Sequence, residues 1–279
     1  MLPTNPDTLR LLAFLSIFAL LALAEAVWPR RPLRTAKLQR WQTNIGVIIT
    51  DTVAVRLLFP VLPVSLAATA QAHGWGLFNL FGLPGWIEMI AGLLILDLII
   101  YLQHRLFHRI PLLWRLHRMH HTDLDIDVST GTRFHPIEIG LSLLIKMAVV
   151  LLFGISPLTV LLFEIILNAT SLFNHANLAL PGPVDRWLRL VLVTPDMHRV
   201  HHSVIPKETD SNFGFCQPWW DRLLGTYREQ PRDGHIGMTI GLHEYRNQNE
   251  LGIWRLLRIP FEPRNTFETQ RAQRTQRKI

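Results

Sequence analysis

A six-residue phrase rich in histidine occurs twice in this chain of 279 residues. It reads His-Arg-Met-His-His-Thr from His117 to Thr122 and His-Arg-Val-His-His-Ser from His198 to Ser203. Positions i, i+3 and i+4 of a helix lie on one face, so each H-x-x-H-H box directs its imidazoles to one side. Imidazoles gathered at this spacing are typical ligands of a transition metal. The doubled phrase therefore predicts a metal site.

Further histidines accompany the two boxes. One pair lies a helical turn apart just before the first box, and another histidine ends a long apolar stretch. With the boxes they give nine candidate ligands: His104, His108, His117, His120, His121, His175, His198, His201 and His202. Because one metal ion takes about four to six ligands, nine imidazoles indicate two ions. Imidazole suits Zn, Cu, Fe and Ni, so the residue types alone leave the metal open.

The composition indicates a membrane protein. Hydrophobic residues make up 49% of the sequence and charged residues 18%, and the hydrophobic residues form long runs, as membrane spans do. The one cysteine, Cys216, excludes an intramolecular disulfide and a cysteine-ligated zinc or iron–sulfur site. The net charge of +7 is better explained by basic loops facing anionic lipid than by nucleic acid. No nucleic-acid partner is expected, because no basic stripe with interleaved aromatic residues is present.

The apolar runs predict an all-α, integral membrane helical bundle of about four to five spans. Candidate spans cover about residues 8–28, 44–72 and 87–102. The second contains prolines, and is either one kinked span or a span followed by an interfacial piece. A helical hairpin over 137–173, broken at 154–157, completes the bundle.

The basic connector at residues 30–40 sets the expected orientation. It contains five Lys or Arg residues and no acidic residue, and such loops stay on the cytoplasmic side of a membrane. The third span and the hairpin then both return to that side. We therefore expect a cytoplasmic helical cap that carries every histidine box, which in a bacterium lies at the inner membrane.

The chain divides into three predicted regions. Residues 1–86 form an N-terminal membrane-anchoring region, 87–230 a domain with the boxes, and 231–279 a C-terminal cytoplasmic tail. Within the domain at 87–230, the composition of 185–189 suits an amphipathic helix at the membrane interface. The last residues, 262–279, are charged and rich in Gln and Arg, which predicts a weakly ordered tail.

The order of H-x-x-x-H, H-x-x-H-H and a second H-x-x-H-H resembles the fatty acid hydroxylase and sterol desaturase superfamily of membrane-bound di-iron oxygenases. Asn-Phe-Gly at 212–214 and Trp-Trp-Asp-Arg-Leu-Leu-Gly-Thr-Tyr at 219–227 are similar to the family's signature after the last box. Arg-Phe-His-Pro-Ile-Glu at 133–138 is similar to the signature after the first box. The resemblance runs from about Leu93 to Tyr227 and is greatest with the sterol desaturase-like members near alkylglycerol monooxygenase.

The resemblance implies an oxidoreductase that hydroxylates or desaturates a membrane lipid, whether fatty acyl, sterol-like or alkylglycerol, with O₂. It implies two iron ions held by the nine histidines, with zinc as the ion that could replace iron in a purified protein. Electrons must come from a separate donor, a redox protein or a reduced pterin, because the sequence holds no fused haem domain, flavin fingerprint or iron–sulfur motif. Some members carry a further histidine where this chain has Ser171, so water completes the ligand set or it is one ligand short.

Imidazole ligands need acceptors for their free N–H groups. The acidic residues near the boxes are the candidates, with one further histidine as a ligand or a structural residue: Glu138, Asp196, Asp221 and His135. The alternative for each carboxylate is an ordinary ion pair with Arg133, Arg199 or Arg222. A lipid tail would enter from the bilayer past Trp114, Phe134, Phe173 and Trp220, although aromatic residues at a membrane interface are commonly only anchors.

A second interpretation is a non-redox, zinc-holding membrane protein with a structural or transport role. A transporter requires ionisable residues that face one another within its spans. The candidates Asp51, Arg56, Glu88 and Asp97 are few, and some lie near span ends. The sequence therefore favours the lipid oxygenase.

Overall fold

The computed structural model describes residues 5–262 of the chain. Regular structure in this range is helical, and its β pairing consists of two isolated antiparallel bridges, Pro29 with Leu178 and Ser203 with Ile240. The α-helices are α1 (Pro6–Val27), α2 (Lys37–Leu58), α3 (Pro63–Ala72), α4 (Leu77–Phe81), α5 (Gly85–Arg109), α6 (Pro111–His121), α7 (Pro136–Phe153), α8 (Pro157–His175), α9 (Gly182–Leu188), α10 (Pro195–His201), α11 (Pro206–Thr209), α12 (Trp219–Leu223), α13 (Gly234–Gly237) and α14 (Ile253–Arg258). Short 3-10 helices cover Val128–Thr132, Gln248–Glu250 and Ile259–Phe261.

Five helical segments are long and apolar enough to cross a membrane. They are Pro6–Val27, Lys37–Phe81, Gly85–Arg109, Pro136–Phe153 and Pro157–His175. Their outer surfaces carry exposed large apolar side chains such as Leu20, Leu23 and Leu57. The prediction of an all-α membrane bundle with four to five spans is confirmed.

The second predicted span is two helices rather than one. Helix α2 ends at Leu58 and α3 begins at Pro63, because Pro60 and Pro63 lack the N–H groups that a continuous helix requires. Helix α2 also begins at Lys37, well before the apolar run. Its first turns contain buried polar side chains, with Arg40 and Asn44 both at 0% exposure, so hydropathy alone does not reveal them.

The hairpin of α7 and α8 turns at the end of the bundle remote from the histidines. Gly154 ends α7 in the left-handed conformation, with φ 68°. A Cβ added at Gly76 would lie 2.1 Å from the backbone nitrogen of Gly154, so the turn before α4 packs directly on the hairpin tip. Glu88 accepts the backbone N–H of Ser156, the residue that caps α8, at 2.9 Å.

The membrane helices share one apolar core. Residues of α5, α7 and α8 such as Leu96, Val150 and Phe163 are almost fully buried in it. A second cluster joins Leu256 and Ile259 to Met119 of α6. Part of the predicted C-terminal tail therefore packs on the helix that carries the first box. The remainder of that tail, 263–279, lies outside the described residues, and the division into three regions stays a prediction.

Candidate metal centre

Four helix ends bring the histidines to one end of the bundle. His104 and His108 occupy the last turns of α5, and α6 follows at once, because Ile110 has an extended conformation and Pro111 begins a new helix. His175 is the last residue of α8. Helix α10 carries the second box and begins after Thr194, whose hydroxyl accepts the N–H of Met197 as an N-cap.

The nine candidate ligands form two groups of buried imidazoles. Within each group, the ring nitrogens that could bind a metal lie within 4.8 Å of one another. The first group contains His104, His108, His117, His121 and His201. The second group contains His120, His175, His198 and His202. The structure thus brings together every histidine that the sequence singles out as a ligand.

Each box contributes to both groups. In the first box, His117 and His121 join the first group and His120 joins the second. In the second box the division is reversed, since His201 joins the first group and its neighbours His198 and His202 join the second. Successive helical residues are about 100° apart, so positions i+3 and i+4 diverge enough to face two adjacent centres. The boxes therefore lie across both groups, and neither box forms one group alone.

Hydrogen bonds at the outer ring nitrogens fix the tautomers of several imidazoles. The Nδ1 atoms of His104, His120, His175 and His201 lie 2.6–3.1 Å from the carbonyl oxygens of Phe213, Arg133, Ser171 and Ser211. A carbonyl oxygen only accepts hydrogen bonds, so each of these nitrogens carries the proton. In the neutral imidazole the opposite nitrogen, Nε2, then carries no proton and presents a lone pair.

These lone pairs face one another across the centre. Nε2 of His120 lies 3.1 Å from Nε2 of His175. Nε2 of His104 lies 3.1 Å from Nε2 of His117, and Nδ1 of His117 lies 2.7 Å from Oε1 of Glu138, which places the His117 proton on Nδ1 as well. Two unprotonated nitrogens at this distance share no hydrogen and repel each other. A cation between them reverses the sign of the interaction, so the donor set fits a metal ion at each group. Buried Nε2 of His201, which has no hydrogen-bond partner among residues 5–262, agrees with this fit.

Burial keeps the imidazoles in the form that binds metal. Burial, followed by the neighbouring imidazoles, lowers the pKa of His120, His121 and His202 well below 6.5. The same causes lower the pKa of His198 and His201. The rings are therefore neutral at pH 7, and no proton must be displaced before a metal ion binds.

Aromatic rings surround the centre on its apolar side. Phe134 stacks on His120 with ring centroids 4.4 Å apart, and Trp114 lies 5.0 Å from His108. Phe215, which the sequence gives no reason to select, lies 5.0 Å from His104. The other two predicted lining residues have other partners: Phe173 packs in an apolar cluster, and Trp220 donates its Nε1–H to Asp97 at 2.8 Å.

Two of the predicted acceptors connect to ligands. Oε1 of Glu138 accepts from Nδ1 of His117 at 2.7 Å. Asp221 acts one step further away: its carboxylate accepts the backbone N–H groups of Phe213 and Gly214 at 2.8 Å each, and the carbonyl of Phe213 holds His104. Glu138 thus orients its histidine directly, and Asp221 orients the loop that orients another.

Asp196 and His135 lie apart from both groups. Asp196 forms ion pairs with Arg30 and Arg199, which is the alternative that the sequence left open. His135 is the N-cap of α7, where its Nδ1 accepts the N–H of Ile137 at 3.1 Å. In the described part of the chain His135 belongs to neither group, which fits a structural role.

Ser171 occupies the position at which some family members carry a further histidine. It has no ring nitrogen that could bind a metal, but its backbone contacts one of the nine histidines. Its carbonyl oxygen accepts from Nδ1 of His175 at 2.6 Å. Its hydroxyl lies 3.3 Å from the carbonyl oxygen of Gly131. The position therefore supports the ligand one helical turn further along α8.

A buried polar network behind the first box has no counterpart in the sequence-based predictions. Arg40 of α2 donates to Asp123 and to Asp127, with N–O distances of 2.6 Å to each. Burial raises the pKa of Asp123, but the charge of Arg40 and its hydrogen bonds outweigh burial and hold that pKa below 3.8. Asp123 follows the first box by two residues, so this network fixes the end of α6 to α2.

Comparisons with known proteins match the region that contains the nine histidines. Residues 89–226 match the family model described as fatty acid hydroxylase. The chain is 31% identical to ornithine lipid hydroxylase OlsE from Rhizobium tropici, over 81% of this chain and 70% of that protein. It is 28% identical to alkylglycerol monooxygenase from Homo sapiens, over 65% of this chain and 40% of that protein. Sphinganine C4-monooxygenase 1 from Arabidopsis thaliana is 29% identical, over 50% of this chain and 54% of that protein.

No solved structure matches the chain. The predicted resemblance and the predicted class of enzyme, an oxidoreductase, are both confirmed, because the matched relatives are hydroxylases and monooxygenases. The match covers all nine histidines, the signature after the first box and all but the last residue of the signature after the second box. On sequence and on the convergence of its histidines, the chain belongs to the fatty acid hydroxylase family.

Proposed function

We propose that this chain is an integral membrane, non-haem di-iron oxygenase that hydroxylates a lipid with O₂ and electrons from a separate donor. The observation that carries the proposal is the pair of facing, unprotonated nitrogens in each histidine group. A single ion would relieve the repulsion between the facing nitrogens in only one of these groups. Two groups of four and five imidazoles therefore support two ions.

Iron is the ion that the proposal assigns to both groups. The first group would hold one ion and the second group the other. When bound, a pair of iron ions supplies the redox chemistry by which O₂ oxidises an unactivated C–H bond. Zinc fits the same imidazoles and could replace iron in a purified protein, but zinc has no redox chemistry of its own. Membership of a family of hydroxylases and monooxygenases supports iron.

The chain itself contributes orientation and the exclusion of water. Four carbonyl groups and Glu138 hold five of the nine imidazoles in one tautomer, so the Nε2 atoms of these five point inward before any ion binds. All nine ligands are at most 5% exposed, and Phe134 and Phe215 cover the centre with apolar rings. An alkyl chain can contact these rings without loss of hydrogen bonds, whereas water cannot. The site therefore favours an apolar substrate segment.

Hydroxylation is favoured over desaturation by the comparisons. The matched relatives are named as hydroxylases or monooxygenases. Insertion of one oxygen atom balances as R–H, O₂, two electrons and two protons giving R–OH and water. The two electrons come from outside the chain, and the donor class proposed is a redox protein or a reduced pterin.

The substrate proposed is a membrane lipid with a long apolar chain. An ornithine lipid is the first to test, because the relative named for it matches 81% of this chain. An alkylglycerol is the second, since alkylglycerol monooxygenase matches 65%. A sterol-like or free fatty acyl substrate has less support, as cholesterol 25-hydroxylase-like protein from Danio rerio is 25% identical.

The proposed orientation places the histidines at the cytoplasmic face, which in a bacterium is the inner face of the inner membrane. The support is the basic connector of residues 30–40, part of which remains exposed at the histidine end of the bundle, as Arg34 does. In the same proposal residues 1–86 anchor the chain, 87–230 hold the catalytic site and 231–279 complete the cytoplasmic part.

Lipid mass spectrometry of a host with and without the gene tests the function. We expect a lipid heavier by one oxygen atom only when the intact chain is present. His120→Ala removes a ligand of the second group and should abolish the product. His73→Ala is the matched control, because His73 is exposed at the end of α3 and should leave the product unchanged. Survival of the product in His120→Ala contradicts catalysis at this centre, and a product lighter by two hydrogens contradicts hydroxylation.

A further inference from the structure

The loop after the second box descends along two membrane helices. Phe213 contacts His104 through its carbonyl oxygen, Thr226 contacts the Tyr101 hydroxyl at 2.7 Å, and Trp220 donates to Asp97 at 2.8 Å. Asp97 precedes His104 by seven residues, which is about 10 Å along a helix. The loop therefore reaches well below the metal centre, toward the middle of α5.

Helix α8 gives an independent measure of the same descent. Asn174 donates to the carbonyl oxygen of Phe215 at 3.1 Å, and the Thr170 hydroxyl donates to Sγ of Cys216 at 3.3 Å. Thr170 lies more than one turn below His175, on the membrane side. Both α5 and α8 are long and apolar enough to cross a membrane. The segment from Phe213 to Thr226 thus lies beside the two spans and not above them.

An apolar surface faces outward at this depth. It is formed by α9 with the residues after it and by α12, and it is held together because Trp219 donates to the carbonyl oxygen of Leu190 at 2.6 Å. Its exposed side chains, here called the apolar shelf, are Trp187, Leu190, Val191, Trp219, Leu223 and Leu224, and they are 40–74% exposed. A contiguous apolar surface of this kind on a protein marks a partner or a membrane.

We propose that the apolar shelf is inserted into the bilayer, where it forms a second membrane contact beside α5, at the level of the metal centre's apolar side. Leu102 and Leu106 lie on α5 nearer the histidine end than Asp97, and both are exposed apolar side chains. Because α5 is long and apolar enough to cross a membrane, these side chains fit contact with lipid at the level of the shelf.

The charges at the edge of the shelf fit lipid headgroups. Arg186 is exposed beside the apolar residues, and a guanidinium group binds phosphate through paired N–H donors. Arg222 is exposed there too, although it donates one N–H to the carbonyl oxygen of Arg189 and lies over the Tyr227 ring. Asp185, the neighbouring carboxylate, is already paired with Arg189. Tryptophan and arginine around an aliphatic surface are the composition of a segment that lies in the membrane interface. The inference does not rest on the oxygenase proposal, since a non-catalytic chain with this fold would make the same contact.

Spin labels in proteoliposomes test the inference. Single cysteines replace Leu223 on the shelf, Leu23 on the lipid-facing surface of α1 and Arg232, whose side chain is 71% exposed, and the parent protein measures any background from buried Cys216. For each label, the collision frequency is measured with O₂, which concentrates in the bilayer, and with a water-soluble nickel chelate. We expect the label at 223 to behave like the label at 23, with O₂ favoured over nickel.

Two results would overturn the inference. A label at 223 that collides with the nickel chelate as readily as the label at 232 shows that the shelf faces water. A label that neither reagent reaches, with short distances between labels on two chains, shows that a second copy covers the shelf. Trp187→Cys provides a second position on the shelf if Leu223→Cys does not fold, as judged by its helical circular dichroism signal.

Discussion

Nδ1 of His117 lies 2.7 Å from Oε1 of Glu138, so a carboxylate at the start of α7 holds a histidine of the box on α6. Nδ1 of four other imidazoles of the centre donates to a backbone carbonyl oxygen, which no substitution removes. Glu138 is a side chain, and its contribution can be removed without deleting a ligand. This pair therefore separates the orientation of a ligand from its presence.

Glu138→Ala should lower metal affinity by about 10- to 100-fold, because the His117 ring loses the acceptor that fixes its tautomer. Glu138→Gln should lose less, since the amide oxygen can still accept the Nδ1–H. Metal retained after dialysis against a graded chelator measures both effects. Glu229→Gln, at an exposed side chain, is the control. Equal retention by Glu138→Ala and the unaltered protein would show that Glu138 does not support the centre.

Asp221→Asn should loosen the loop that holds His104. The carboxylate accepts two backbone N–H groups and the Thr226 hydroxyl, and an amide supplies only one accepting oxygen. One buried N–H then loses its partner, at a cost of about 1–3 kcal/mol in the free energy of unfolding. We expect a lower melting temperature together with lower metal retention. Asp233→Asn, in an exposed ion pair, should change neither, and a stability loss in Asp221→Asn with full metal retention would limit Asp221 to folding.

Arg40→Ala should destabilise the protein far more than Arg56→Ala, although both residues lie on α2. Arg40 is fully buried against Asp123 and Asp127, and removal of one partner of a buried ion pair costs about 3–5 kcal/mol. The Arg56 side chain is 53% exposed beside Asp7, where an ion pair contributes about 0–1 kcal/mol. Thermal unfolding in detergent measures the difference. Similar melting temperatures for the two variants would refute the structural role given to the network.

Acid should destabilise the metal-free protein. Burial lowers the pKa of His198, His201 and His202 well below 6.5, so below pH 6.5 the unfolded chain binds more protons than the folded protein does. This contribution to stability is complete above pH 6.5 and is lost as pH falls through the lower folded values. Melting temperatures of chelator-treated protein between pH 8 and 5 should therefore fall with pH.

A buried histidine outside the groups contributes to the same fall. Burial lowers the pKa of His235 to about 4. His235→Gln therefore removes the contribution of His235 to the loss of stability in acid and leaves the contribution of the two histidine groups. A melting temperature that stays constant or rises as the pH of the His235→Gln protein is lowered would contradict the neutral state assigned to the imidazoles.

The apolar spans and the set of histidines that converge could be predicted from the sequence because their signals are local. Apolar runs define the spans, and the spacing of His117, His120 and His121 defines a helical face. The assignment of these ligands to two groups could not be predicted, because it depends on how α6 and α10 cross. Hydropathy also missed the first turns of α2, where Arg40 is buried by partners more than 80 residues away.

The acceptors around the histidines show the same limit. Glu138 could be chosen from the sequence because a carboxylate stands out, but every residue has a carbonyl group. Nothing in the identity of Phe213 or Ser211 indicates that its backbone faces an imidazole. Asp196 looked equivalent to Glu138 in the sequence, and only the positions of Arg30 and Arg199 show that its carboxylate is already neutralised.

The metal content of the purified chain tests the central claim most directly. Elemental analysis of protein expressed with iron should give about two ions per chain. Removal of His198 and His202 together, both in the second group, should leave about one, and removal of His104 and His108, in the first group, should also leave about one. A content of one ion or fewer in the unaltered chain, or a content that neither pair of substitutions lowers, would contradict a centre built from two histidine groups.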